Sequence, residues 1–136
     1  MERRLRLDIP ERLNVRGESL LQLDEDAVRK ACEHLCREGV EAIAISFLHS
    51  YANPVHERRA EAIVREKFPH TPISVSHRVA PEMREYERTS TTVANAYVQP
   101  LARRYLEELE RGVQAAGIEA PLHIMLSNGG SCSVET

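Results

Sequence analysis

Four hydroxyl residues in a row, Thr89-Ser90-Thr91-Thr92, follow the charged stretch Arg84-Glu85-Tyr86-Glu87-Arg88. Ser and Thr side chains compete for backbone hydrogen bonds and are poor filling for a helix interior. On the wall of a cleft between domains the same hydroxyls could orient a carbonyl or phosphoryl oxygen without adding charge, with Glu87, Arg88 and Asn95 as polar neighbours. The bland explanation is a capped helix start with a salt-bridged surface. A second candidate is the turn Ser127-Asn128-Gly129-Gly130, which follows the apolar stretch ending at Leu126. Glycines after a strand can bring backbone N–H groups close to an anion, though two glycines also make an ordinary turn.

The thiols and imidazoles carry less. Cys32 and Cys36 lie four residues apart, a spacing at which one helix face could present both to a soft metal. That face also carries Val28, Ala31 and Leu35, and free Cys among apolar neighbours behaves as a small hydrophobe, so both are expected in the core. Cys132, in a polar tail, is expected to be the reactive thiol. The six His residues form no zinc spacing. His49 and His56 flank the loop before a helix and read as surface or loop-bracing side chains, so no metal site is expected.

The elements that would position these groups follow from periodicity. Leu5 to Val15 alternates weakly with charges, Arg16-Gly17 signals a turn, and Leu20 to Leu23 can return as the second strand of a hairpin. Asp24 is placed to cap a helix with Glu25 and Asp26 in its first turn, and Gly39 to end it in the left-handed region. Val40 to Phe47 is short and apolar on both faces, as a buried strand is. Asn53-Pro54 opens a second helix, with Asn as cap and Pro as first helical residue. Ala60, Ile63, Val64 and Phe68 line one face of that helix, which stops before Pro69. Ile73 to Ser76 is a short strand, completing a βαβ unit whose crossover should be right-handed. Val93, Tyr97, Leu101, Tyr105 and Leu109 recur every four residues across Pro100, so either one helix kinks there or two helices meet. Gly117 stops this pattern, and Pro121 to Leu126 is a last strand.

The totals bound the reading. The 136 residues fit a single compact fragment, 42% hydrophobic and 29% charged, in which scarce aromatics leave Leu, Val, Ile and Ala to fill the core. A net charge of -3 gives no electrostatic reason to expect nucleic acid. No apolar run is long enough to span a membrane, and the N-terminal stretch lacks the apolar core of a signal peptide. Three Cys, two of them in a helical pattern, suit a reducing, cytoplasmic setting.

Three stretches taken in order are more specific than any of these features. SFLHSYANPVHERRA (Ser46 to Ala60), EYERTSTTVANAYVQP (Glu85 to Pro100) and MLSNGG (Met125 to Gly130) resemble the hydantoinase A / 5-oxoprolinase family. The resemblance implies an α/β fold: a βαβ-containing fragment of an actin-like ATPase (sugar kinase/Hsp70 superfamily) with long C-terminal helices. It divides the chain into the latter part of an N-terminal domain, about residues 1–87, and the start of the next, about 88–136. It also implies an enzyme that uses ATP and Mg²⁺ to activate a ring carbonyl so that water opens a hydantoin or 5-oxoproline, together with a hydantoinase B-type subunit or domain. Relatives that carboxylate ketones are the alternative, and a non-catalytic partner-docking module is a third reading. The family's glycine-rich phosphate loops do not occur in this sequence. The isolated fragment is therefore expected to be inactive and without cofactor, with Glu87 to Thr92, Asn95 and Ser127 to Gly130 lining a cleft and no residue assigned to catalysis.

Overall fold

A computed structural model describes residues 2–127 and 129–133. The chain forms two compact units, the first running through Tyr97 and the second beginning at Val98. The first unit opens with a 3-10 turn at Arg3–Leu5 and a hairpin of β1 (Arg12–Leu13) and β2 (Ser19–Leu21), paired antiparallel. Asn14 builds the hairpin turn, its Oδ1 accepting from the amides of Arg16 and Glu18 at 2.9 and 3.0 Å, and Gly17 supplies φ +79°. The alternation that begins at Leu5 does not become ladder. Its start curls into the 3-10 turn, and Pro10 has no N–H to give.

Helix α1 (Glu25–Arg37) starts where the Asp24 side chain accepts from the Ala27 amide at 2.9 Å. It ends in a Schellman motif: Gly39 N–H reaches Cys36 O, Val40 N–H reaches Leu35 O, and Gly39 sits at φ +64°. Val28 and Cys32 are buried, but Cys36 is exposed, which corrects its expected place in the core. A 100° step per residue carries position 36 past the edge of the buried stripe, beyond the reach of the face that holds Val28 and Cys32.

Strand β3 (Ile43–Ile45), helix α2 (Val55–Lys67) and strand β4 (Ile73–Val75) make the βαβ unit, with β3 and β4 parallel in the register Ile43↔Ile73 and Ile45↔Val75. Asn53 Oδ1 accepts from the Val55 amide, and its side-chain nitrogen donates to Gly17 O, tying the helix start to the hairpin turn. Ala60, Ile63, Val64 and Phe68 pack with Val28, Cys32 and the strand residues Ile43, Ile45, Ile73 and Val75 into the core. The two helices are also joined across their exposed edges, where Arg59 makes a two-pronged contact with Glu25 at 2.6 and 2.7 Å. That guanidinium holds the Glu25 carboxyl below its ordinary range.

A short helix, α3 (Ser76–Val79), follows β4 directly and takes Ser76 out of the strand expected over Ile73 to Ser76. Helix α4 (Glu85–Ala115) is then one helix through Pro100, not two. The division between the units falls inside it. Tyr97, Leu101 and Tyr105, which recur at four-residue spacing along it, are 85%, 70% and 63% exposed. In the second unit α4 ends at Gly117, φ +82°, in another Schellman motif, with Gly117 N–H to Gln114 O and Ile118 N–H to Val113 O. Strand β5 (His123–Met125) pairs antiparallel with β6 (Ser131–Ser133), so the glycine turn joins a hairpin.

Candidate functional site

Two parallel strands that end in register bring whatever follows them side by side. Here the next residues are Ser46 after β3 and Ser76 after β4. The carboxyl ends of parallel strands are where open α/β sheets place ligands. In this chain they carry a buried polar cluster built by residues from four segments, the β3–α2 loop, α2, α3 and α4.

Its centre is Glu57 on α2, wholly buried. One oxygen, Oε1, accepts from the Phe47 amide at 2.8 Å and the Ser76 hydroxyl at 2.5 Å. The other, Oε2, accepts from the amide of His77 at 2.9 Å and faces His77 Nδ1 at 2.8 Å. The carboxylate thus fixes the exit of both strands. A buried carboxylate without such donors would cost several kcal/mol, so the arrangement is satisfied only because both strand ends are in place.

Arg88 of α4 enters from the other side and is also wholly buried. Its Nη1 donates to the hydroxyls of Ser50, at 2.7 Å, and Ser76, and stands 3.8 Å from Glu57 Oε1. Ser50 and Ser76 are themselves 3.0 Å apart. Among the described residues Nε and Nη2 of Arg88 have no hydrogen-bond partner, and both are buried. All of the guanidinium's pairing therefore runs through one nitrogen.

The hydroxyl run lies in the first turns of α4, where its members separate by face. Thr89 Oγ1 is 2.9 Å from Ser46 Oγ. Thr92 is buried, and its hydroxyl donates back to the Arg88 carbonyl at 2.7 Å, a bond that lets a Thr remain inside a helix. Ser90, Thr91 and Glu87 are exposed, Glu87 within 3.4 Å of Arg84. Asn95 donates to Ser74 Oγ at 2.8 Å. The salt-bridged surface of the bland explanation thus holds for Glu87, whereas Arg88 and Thr92 belong to the interior. In the second unit, Ser127, Gly129 and Gly130 form the β5–β6 turn, in which Leu126 N–H donates to Gly130 O and Gly129 adopts φ +85°. Asn128 lies outside the described residues.

Sequence reasoning missed Glu57, Ser50, Ser76 and His77. The available signal was a Glu on the buried face of α2, one residue beyond His56. His56 makes its own pair, with Nδ1 2.8 Å from Glu11 Oε2 and Nε2 3.5 Å from Ser19 Oγ. Although this is the order of a hydrolytic triad, both ring nitrogens are spent on holding the hairpin against α2. The loop-bracing role expected for His56 is what the structure gives it.

Beside the cluster, the first unit holds a mainly apolar cleft of about 310 Å³ between residues 5–9, α1 and β3, with Ser46 and Thr89 in its lining. Among the described residues no group of three or more His, Cys, Asp or Glu side chains could hold a metal ion. No helix among them is long and apolar enough to cross a membrane.

The fold is a mixed α/β unit with a buried polar cluster at the ends of its parallel strands, and comparison narrows it. The profile of the hydantoinase/oxoprolinase N-terminal region matches residues 1–68, and that of hydantoinase/oxoprolinase matches residues 88–136. The chain belongs to the hydantoinase/oxoprolinase family. It is 41% identical to the caprolactamase subunit alpha of Pseudomonas jessenii over 94% of this chain and 18% of that protein. The crystal structure of the ATP-dependent caprolactamase from that organism superposes with a TM-score of 0.93 at 40% identity, over 98% of this chain and 19% of the other. The 5-oxoprolinase of Saccharomyces cerevisiae is 38% identical over 79% of this chain and 8% of its own length. The nucleotide-free structure of acetone carboxylase superposes with a TM-score of 0.81 at 31% identity, over 94% of this chain and 19% of the other. The chain thus spans about a fifth or less of the length of these relatives.

Proposed function

We propose that this chain is a portion of an ATP-dependent cyclic amidohydrolase that opens lactam, hydantoin or 5-oxoproline type rings after activating the ring carbonyl. The observation that carries the reading is the agreement with caprolactamase, TM-score 0.93 over 98% of the chain. In this reading the fold is part of an actin-like ATPase, and residues 1–87 and 88–136 belong to successive domains. The protein works in the cytoplasm with Mg²⁺-ATP and a hydantoinase B-type subunit or domain. The exposure of Tyr97, Leu101 and Tyr105 supports it, since apolar side chains bared along a helix suit a piece of a larger assembly better than a self-sufficient module.

The described residues do not themselves fit a nucleotide or its metal. They contain no metal-ligating cluster, and their one glycine-rich turn is taken up in closing a hairpin. The polar residues at the strand ends and on α4 serve this reading as one wall of the substrate site, with the Thr89 and Ser46 hydroxyls able to meet a carbonyl oxygen. The ketone carboxylase reading draws on the acetone carboxylase superposition, at the lower TM-score of 0.81.

Two measurements test the proposal. Titration calorimetry of the 136-residue chain with Mg²⁺-ATP should give no binding tighter than millimolar. The longer polypeptide carrying this sequence, assayed with its partner subunit, should release phosphate from ATP when caprolactam or 5-oxoproline is added. Phosphate release driven only by a ketone with bicarbonate would shift the assignment to the carboxylase branch.

A further inference from the structure

The Glu57–His77 pair does more than the packing of strand ends requires. Glu57 Oε2 accepts from the His77 amide and faces His77 Nδ1 at 2.8 Å, so a carboxylate acceptor places the ring proton on Nδ1. The other ring nitrogen, Nε2, is left as an acceptor. Nε2 makes no hydrogen bond among the described residues, and the side chain as a whole keeps 9% exposure. The carboxylate is locked from its far side by the Phe47 amide and the Ser76 hydroxyl, which leaves the imidazole one fixed orientation. A buried acid that sets the tautomer of an imidazole whose second nitrogen is left without a partner among the described residues is the working half of a general base. It follows the carboxyl end of β4, the end of the sheet at which Ser46 follows β3 and meets Thr89 of α4. His56 lacks this property, because Glu11 and Ser19 occupy both of its nitrogens.

We propose that His77 is the proton-accepting residue that activates water at this site, with Glu57 as its positioning residue. The inference rests on the reading of the protein as a cyclic amide hydrolase. As the water oxygen bonds to the ring carbonyl carbon, one water proton passes to His77 Nε2. When the ring C–N bond breaks, the imidazolium returns that proton to the departing nitrogen. Glu57 stabilises the transient imidazolium through the Nδ1–H bond without taking the proton.

The test uses the longer polypeptide with its partner subunit and measures Mg²⁺-ATP-dependent opening of caprolactam and 5-oxoproline. His77→Ala should lower kcat by about 100-fold or more with little change in KM, the range of a lost general base. Added imidazole should restore part of the lost rate, because a small base can occupy the space the ring vacates. Glu57→Gln should lower kcat less, and imidazole should not rescue it. A rate within threefold of wild type in His77→Ala would overturn the proposal, and so would a loss that tracks melting temperature and ignores imidazole. If the wild-type enzyme opens no cyclic amide, the hydrolase reading fails by itself, and diethyl pyrocarbonate then decides the ring's state in the 136-residue chain. Rapid modification of His77 with His56 protected supports an open, unprotonated Nε2, whereas a protected His77 sinks the inference whatever the activity.

Discussion

Among single residues, Glu57 and Arg88 show how differently two buried charges can be held. Glu57 has a donor for each lone-pair direction it uses, whereas Arg88 works through Nη1 and leaves Nε and Nη2 bare. Replacing each by Met should separate them. Glu57→Met strands two backbone amides and the Arg88 charge, and should cost about 3–5 kcal/mol by urea denaturation. Arg88→Met removes two donors that were never satisfied. Ser50 and Ser76 can still bond each other, so its cost should be about 1–2 kcal/mol. Equal losses would show that the guanidinium is better satisfied than its geometry allows. The thiols give a second test. Burial raises the Cys32 thiol above its ordinary range and closes access to it, whereas Cys36 is exposed and Cys132 half-buried. Under native conditions a thiol reagent should therefore label Cys36 first, Cys132 next and Cys32 last. Early labelling of Cys32 would contradict the packing of α1.

The elements follow local rules closely enough that glycine positions can be ranked. Gly17 and Gly39 both need positive φ, yet an added Cβ at Gly17 would come within 2.9 Å of Asn53 Cβ, while one at Gly39 would meet nothing within 4 Å. Gly39→Ala should cost only the backbone strain, about 1 kcal/mol. Gly17→Ala should cost more and loosen the Asn53 bond to the hairpin turn, which a comparison of melting temperatures would reveal. This is also the scale at which the sequence was most legible. The α1 cap at Asp24, the Gly39 stop and the apolar face of α2 answer to patterns within about a dozen residues, and the parallel β3–β4 pair to the strand–helix–strand order that such patterns spell out. The polar cluster was hidden because its members, residues 46, 50, 57, 76, 77 and 88, meet only after the βαβ unit closes. The hydroxyl run was visible as a composition, but which hydroxyl faces inward depends on the phase of α4 against the strand ends. That phase is set by tertiary packing, so Thr89 meets Ser46 while Thr91 is exposed.

For the whole molecule, the balance between buried and bared apolar side chains decides what the chain tolerates. Ile63 is completely buried in the first unit, and Ile63→Ala should cost about 2–5 kcal/mol. Leu101 is 70% exposed, and Leu101→Ala should change stability by about 0.5 kcal/mol or less. Light scattering should show less self-association after Leu101→Gln and Tyr105→Gln, because the bared stripe is the part of α4 that water disfavours most. A large loss of stability in Leu101→Ala would mean that the side chain packs inside the folded chain after all.

Glu57 also sets a clock for local opening. The amides of Phe47 and His77 lie thirty residues apart in sequence, but both donate to this one carboxylate. Neither can exchange its hydrogen for deuterium while Glu57 keeps its place between the strand ends. Their exchange rates in D₂O should therefore fall together and report one shared opening free energy, distinct from the fraying of β1–β2. In Glu57→Gln both amides should speed up by a similar factor, making two distant positions in the chain a paired gauge of when the polar cluster comes apart.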